Sequence, residues 1–128
     1  MNDTQITIAI IEDEPDTAEM FAEMMRLEGY AVLKSYKGET AKELIEQNIP
    51  DVVVTDIMMP DFSGLDILAW MRSNEKLKHI PTVVVSAKSL PGDIEAGLNA
   101  GATIYLTKPV AYQDLRNAVA EALANSKI

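Results

Sequence analysis

Four places in the chain put reactive side chains directly after, or at the end of, an apolar run. Glu12 and Asp13 follow Ile6–Ile11, Asp56 closes Val52–Thr55, Ser86 closes Thr82–Val85, and Lys108 follows Thr103–Thr107. Three carboxylates, a hydroxyl and an ammonium are the parts of a metal-assisted phosphoryl-transfer site. Crowded carboxylates raise one another's pKa, and a hard cation or an ammonium relieves that. The chain has one histidine, His79, and no cysteine. Oxygen ligands alone favour Mg²⁺, or Mn²⁺, over zinc. Mg²⁺ keeps several waters, takes one or two protein carboxylates, and suits chemistry dominated by charge neutralisation and positioning. An aspartate can itself be the nucleophile and become an acyl phosphate. Asp56 is assigned that role, because it sits on a central apolar strand and is not one of the adjacent acid pair. Lys108 supplies the ammonium. Ser86 would hydrogen-bond a phosphoryl oxygen, and the small Ala87 leaves room for it.

The elements that must position these residues alternate between two periods. Ile6–Ile11, Ala31–Ser35, Val52–Ile57, Thr82–Ser86 and Thr103–Thr107 read as strands. Between them, Ala18, Phe21, Met24 and Met25, then Ala41, Leu44 and Ile45, then Leu65, Leu68 and Met71, then Ile94 and Leu98 recur at helical spacing. Leu115, Ala118, Ala122 and Leu123 mark a last helix. Pro15 suits a first helical turn, and Gly29 and Gly101 end their segments. Strands rich in valine and apolar throughout belong to a parallel sheet covered by helices on both faces. The expectation is an α/β, doubly wound (βα)5 flavodoxin-like fold with strand order 2-1-3-4-5. In such sheets function gathers at the carboxyl ends of the strands, near the switch in strand order. That order makes the first and third strands neighbours, so Glu12, Asp13 and Asp56 share one pocket.

With 128 residues and 48% hydrophobic content, the chain fits one domain over residues 1–128 with an aliphatic core. No output domain is expected. The absence of cysteine suits a reducing compartment. No apolar run reaches membrane-spanning length, and the first residues lack a signal-peptide pattern, so a cytoplasmic location is expected, with no membrane partner. A net charge of -9 opposes nucleic acid phosphates, so no direct nucleic acid binding is expected.

The constellation resembles the receiver domain of two-component response regulators, of the chemotaxis Y-protein type, over essentially the whole chain. Glu12-Asp13, Asp56 within TDIMMPDFSG, Ser86-Ala87 and Tyr105-Leu106-Thr107-Lys108-Pro109 carry the resemblance. Each is weak alone; all of them in order at strand ends are specific. The resemblance implies a signalling module rather than a conventional enzyme. A sensor histidine kinase or phosphotransfer protein would phosphorylate Asp56. Mg²⁺ would be bound by Asp13, Asp56 and the backbone carbonyl of Met58, with Glu12 acting partly through water. Lys108 would contact the phosphoryl group, and Lys108-Pro109 would be cis. Ser86 would move toward the phosphate and Tyr105 rotate inward behind it. That reshapes the face of the fourth helix, fifth strand and fifth helix, where a downstream effector or a second copy docks, including as a phosphorylation-dependent homodimer.

Departures from the pattern locate what is particular here. Glu12 replaces the commoner aspartate and Ser86 the commoner threonine. Thr103-Ile104 stands where many DNA-binding regulators carry two aspartates, which disfavours that charged dimer. Val110 replaces a frequent phenylalanine. Met58 and Lys88 flank the route of attacking water. Ordinary explanations also exist: Asp56 as a turn residue, Glu12 to Glu14 as an acidic helix start, Ser86 as a helix cap, Tyr105 as a static half-buried ring. Met20, Met24 and Met25 read as core filler, and His79 as solvent-facing with no role. A haloacid-dehalogenase-type phosphohydrolase needs a second acid two residues after its nucleophile, where this chain has Met58. A flavodoxin needs a phosphate loop where Glu12-Asp13-Glu14 would repel it. A pseudo-receiver acting only as an interaction module is the remaining alternative.

Overall fold

Runs of β-branched residues favour the pleated, buried surface of a sheet. In the computed structural model, which describes residues 5–126 except 60 and 62, those runs form five strands: β1 (Thr7–Ile11), β2 (Ala31–Ser35), β3 (Val52–Thr55), β4 (Thr82–Ser86) and β5 (Ile104–Thr107). Five helices alternate with them: α1 (Pro15–Leu27), α2 (Gly38–Asn48), α3 (Gly64–Arg72), α4 (Pro91–Asn99) and α5 (Tyr112–Ser126). The sheet is parallel throughout, in the order β2-β1-β3-β4-β5. The doubly wound expectation therefore holds. Pairing of Ile11 with Thr55 brings the carboxyl ends of β1 and β3 level, so Glu12 and Asp56 emerge side by side.

Every residue of β3 and β4 is buried, as is β1 after Thr7. Their alternate side chains fill two cores. Ile8, Ile10, Val52, Val54, Val83 and Val85 pack with α1 and α5; Ala9, Ile11 and Val53 pack with Ile45, Ile67 and Met71 of α2 and α3. Burial of such side chains stabilises by roughly 1.5–3 kcal/mol each. β5 is different: its residues are half-buried or exposed, and it closes one edge of the sheet.

Three strand boundaries differ from expectation, the first strand beginning at Thr7 rather than Ile6. The third strand stops at Thr55 rather than Ile57. The Asp56 N–H still bonds the Ile11 carbonyl at 3.0 Å, but the Ile57 carbonyl accepts from Gly64 N–H at 2.8 Å, which turns the chain onto α3. The fifth begins at Ile104 rather than Thr103. Met20 is not core filler: it is 46% exposed, one residue out of phase with the buried Ala18, Phe21, Ala22 and Met25. Met24 lies at the core margin, and His79 is exposed. Pro60 falls outside the described residues.

Caps fix how the loops leave the sheet. Glu14 accepts from Asp16 N–H at the start of α1, and Ser63 from Leu65 N–H at the start of α3. Lys37, which precedes α2, makes no side-chain cap. Its role is filled from the β3–α3 loop, where Asp61 accepts from the N–H groups of Gly38 (3.2 Å) and Glu39 (3.4 Å). A carboxylate there also complements the helix dipole. The Gly38 bond is the main reason the Asp61 carboxyl is held below its ordinary pKa.

Candidate functional site

The polar ends of β1, β3 and β5 converge. Lys108 Nζ lies 2.7 Å from Asp56 Oδ2 and 2.8 Å from Glu12 Oε1. Glu12 and Asp56 are almost wholly buried, at 1% and 5% exposure. Two buried carboxylates with no cation would be strongly unfavourable; the ammonium between them offsets that. Burial pushes the Glu12 carboxyl above its usual pKa, against the opposing hydrogen bond from Lys108. Burial alone would pull the Lys108 ammonium down, but its hydrogen bonds to Asp56 and Glu12 outweigh that and the net shift is upward.

The second oxygen of each carboxylate is also engaged. Asp56 Oδ1 accepts from Met58 N–H at 3.0 Å, and Glu12 Oε2 from Glu14 N–H at 3.2 Å. Asp13, half-buried, completes the cluster: Glu12, Asp13 and Asp56 each offer a carboxylate oxygen, all within 4.8 Å of one another. An all-oxygen set of this size and charge fits a hard divalent cation such as Mg²⁺. A cavity of about 530 Å³ opens beside it, lined by Asp13, Ile57, Met58, Met59, Ser63 and Lys88. The Met58 and Lys88 side chains thus flank the approach to the acids.

Gly64 explains how the acceptor loop is fitted. A Cβ there would collide with the carbonyl oxygen of Asp56 and lie 2.8 Å from Ile57 Cα. The first turn of α3 therefore rests on the Asp56–Ile57 backbone, with the Gly64 N–H bond joining them. The Lys108-Pro109 peptide is cis.

Two of the expected site residues make their hydrogen bonds with Lys88. Ser86 is buried at the end of β4, and its hydroxyl accepts from Lys88 N–H at 3.1 Å. Tyr105 on β5 is half-buried among Ile57, Leu68, Val84 and Ala102, and its hydroxyl donates to the Lys88 carbonyl at 2.8 Å. The backbone of Lys88 therefore lies between them.

Some contributors gave little signal in the sequence. Asp61 was one acid in a loop, and its caps are made 22 and 23 residues away. Arg72, half-buried with no carboxylate in its hydrogen bonds, donates to the carbonyls of Gly101 (2.8 Å) and Ile80 (2.8 Å). It ties the end of α3 to the start of β4 and the α4–β5 turn, and its burial lowers its pKa. Only Gly64, beside a helix cap, could have been suspected from the sequence.

Residues 8–120 match the family described as the response regulator receiver domain. The polar-differentiation response regulator DivK of Brucella ovis (strain ATCC 25840 / 63/290 / NCTC 10512) is 31% identical over 104 residues, spanning 81% of this chain and 85% of that protein. Among solved structures, a response regulator receiver domain protein from Clostridium thermocellum superposes with a TM-score of 0.88 at 27% identity, over 95% of this chain and 97% of that one. The signal receiver domain of a signal transduction histidine kinase from Syntrophus aciditrophicus superposes with a TM-score of 0.85 at 28% identity, over 93% and 90%.

Proposed function

The chain belongs to the receiver domains of two-component response regulators, and on that premise we propose that Asp56 accepts a phosphoryl group from a sensor histidine kinase or phosphotransfer protein. The observation that carries this reading is the Lys108 ammonium, shared at 2.7 Å and 2.8 Å between Asp56 and Glu12. It identifies Asp56 as a buried carboxylate with a cation on one oxygen and an open cavity alongside. Asp13, Asp56 and the Met58 carbonyl would hold Mg²⁺, or Mn²⁺, with Glu12 acting partly through water. The ion would supply charge neutralisation for the transferring phosphoryl oxygens.

The chain's own residues do the rest. An Asp56 carboxylate oxygen attacks phosphorus as the bond to the donor imidazole breaks. Lys108 moves from the free carboxylate to a phosphoryl oxygen, and Glu12 keeps the ammonium in reach. Ser86, released from Lys88 N–H, turns its hydroxyl to another phosphoryl oxygen. Tyr105 and Lys88 carry the change to the face formed by α4, β5 and α5, where an effector or a second copy docks.

Incubation with Mg²⁺ and acetyl phosphate should add one phosphoryl mass, and Asp56→Asn should abolish it. An adduct that survives the substitution would overturn the site. No adduct on the wild type with any donor would leave an interaction module instead. Among the described residues no helix is long and apolar enough to cross a membrane.

A further inference from the structure

A glycine in the middle of a helix favours that helix less than alanine would. Gly97 sits within α4 without a positive φ, so conformational freedom does not account for it. It is also the buried residue of α4 among those described. What it provides is space. A Cβ at Gly97 would lie 2.7 Å from Cδ2 and 2.8 Å from Cε2 of Tyr105, and 3.9 Å from Cδ1 of Ile57. The Tyr105 ring thus rests on bare helix backbone. At its far end the hydroxyl donates to the Lys88 carbonyl, and the N–H of the same residue donates to Ser86 Oγ. Residues 86–88 are gripped at one end by Ser86 and at the other by Tyr105.

We propose that Gly97 is a positioning residue: its missing side chain forms a seat that holds the Tyr105 ring against α4, and through Tyr105 it sets the Lys88 peptide that restrains Ser86. The seat exists before any phosphoryl group arrives. Its signalling consequence, which rests on the phosphoacceptor reading above, is that freeing the Lys88 N–H is felt by α4 through a ring already in contact with it. Because the atoms meeting the added methyl belong to a side chain that can rotate, alanine at 97 displaces the ring rather than the helix.

The test is NMR on Mg²⁺-free, unphosphorylated protein with ring-labelled tyrosine, Tyr105 being assigned with Tyr105→Phe. In the wild type the ring should show Overhauser contacts to Gly97 Hα and the Ile57 δ-methyl. In Gly97→Ala both contacts should be lost, and the Ser86 and Lys88 amide resonances should shift. A folded Gly97→Ala protein that keeps the ring contacts and amide positions overturns the proposal. So does an equal amide shift when Gly97→Ala is made in a Tyr105→Ala background, because Gly97 would then act without the ring. If Gly97→Ala fails to fold, recovery of folding in the double variant supports the seat, and no recovery overturns it. Failure of the wild type to take a phosphoryl group from any donor would sink the phosphoacceptor reading alone, since the seat is read without phosphorylation.

Discussion

The carboxyl ends of β1 and β3 and the edge made by β5 and α4 belong to one sheet but are built in opposite ways. β3 is buried at every residue and β1 at four of five, and both Asp56 oxygens are engaged. β5 has no fully buried residue, and α4 buries Gly97 while its Leu98 and the preceding Leu90 face solvent, at 45% and 69% exposure. Reactive groups need fixed geometry, which a dense core and saturated hydrogen bonds supply. A segment that must take two positions needs the reverse: few buried apolar contacts and little to break. The two halves separate those requirements.

The comparison can be broken most forcefully by truncating equivalent apolar residues on either side. Ile11→Ala, at the wholly buried end of β1, should cost about 2–5 kcal/mol in urea unfolding. Ile94→Ala, half-buried on α4, should cost no more than about 1 kcal/mol. Equal losses would show that the edge is as tightly packed as the centre.

Lys108→Ala comes next. It leaves Glu12 and Asp56 buried without their ammonium, which should cost about 1–3 kcal/mol. That is below the figure for a fully enclosed pair, since the Lys108 side chain is 24% exposed. Mg²⁺ should stabilise this variant more than the wild type, read as the shift in unfolding midpoint with and without the ion. No difference between the two proteins would argue against a shared acid–cation site. Amide hydrogen exchange should order the same regions without mutation, with β1 and β3 exchanging more slowly than α4 and β5.

The smallest effect is expected at Asp61, which ties the acceptor loop to α2. Its folded pKa lies below the unfolded one, so its contribution is present above the unfolded value and is lost as pH falls through the folded value. Asp61→Asn should remove that acid-side dependence while leaving the Asp56 adduct unchanged. An NMR titration of the Asp61 carboxyl at or above the ordinary aspartate midpoint would contradict the cap.

Much of this is readable in the sequence. Valine runs announced strands buried on both faces, since residue type and period act locally. Reactive residues at four strand ends announced the site, since a parallel sheet delivers strand ends to one side. Other features were not readable. Met20 and Met25 are the same residue type on one helix, yet one faces solvent and the other the core. Nothing in the sequence around Gly97 marks it as the seat of the Tyr105 ring. Asp61 and Arg72 act across the fold on backbone groups, and such groups carry no sequence signature.

By itself, then, the sequence determined the alternation of elements, the sheet they make and the identity of the groups at its carboxyl edge. Periodicity and side-chain chemistry are properties of short stretches. Only the tertiary structure decided that Lys108 reaches Glu12, 96 residues earlier, and Asp56, 52 residues earlier, within hydrogen-bonding distance of both. It alone decided that Ser86 and Tyr105 meet at Lys88 rather than at the acids. Those contacts depend on how helices settle against a twisted sheet to within fractions of an ångström, a sum over the whole core that no single stretch encodes.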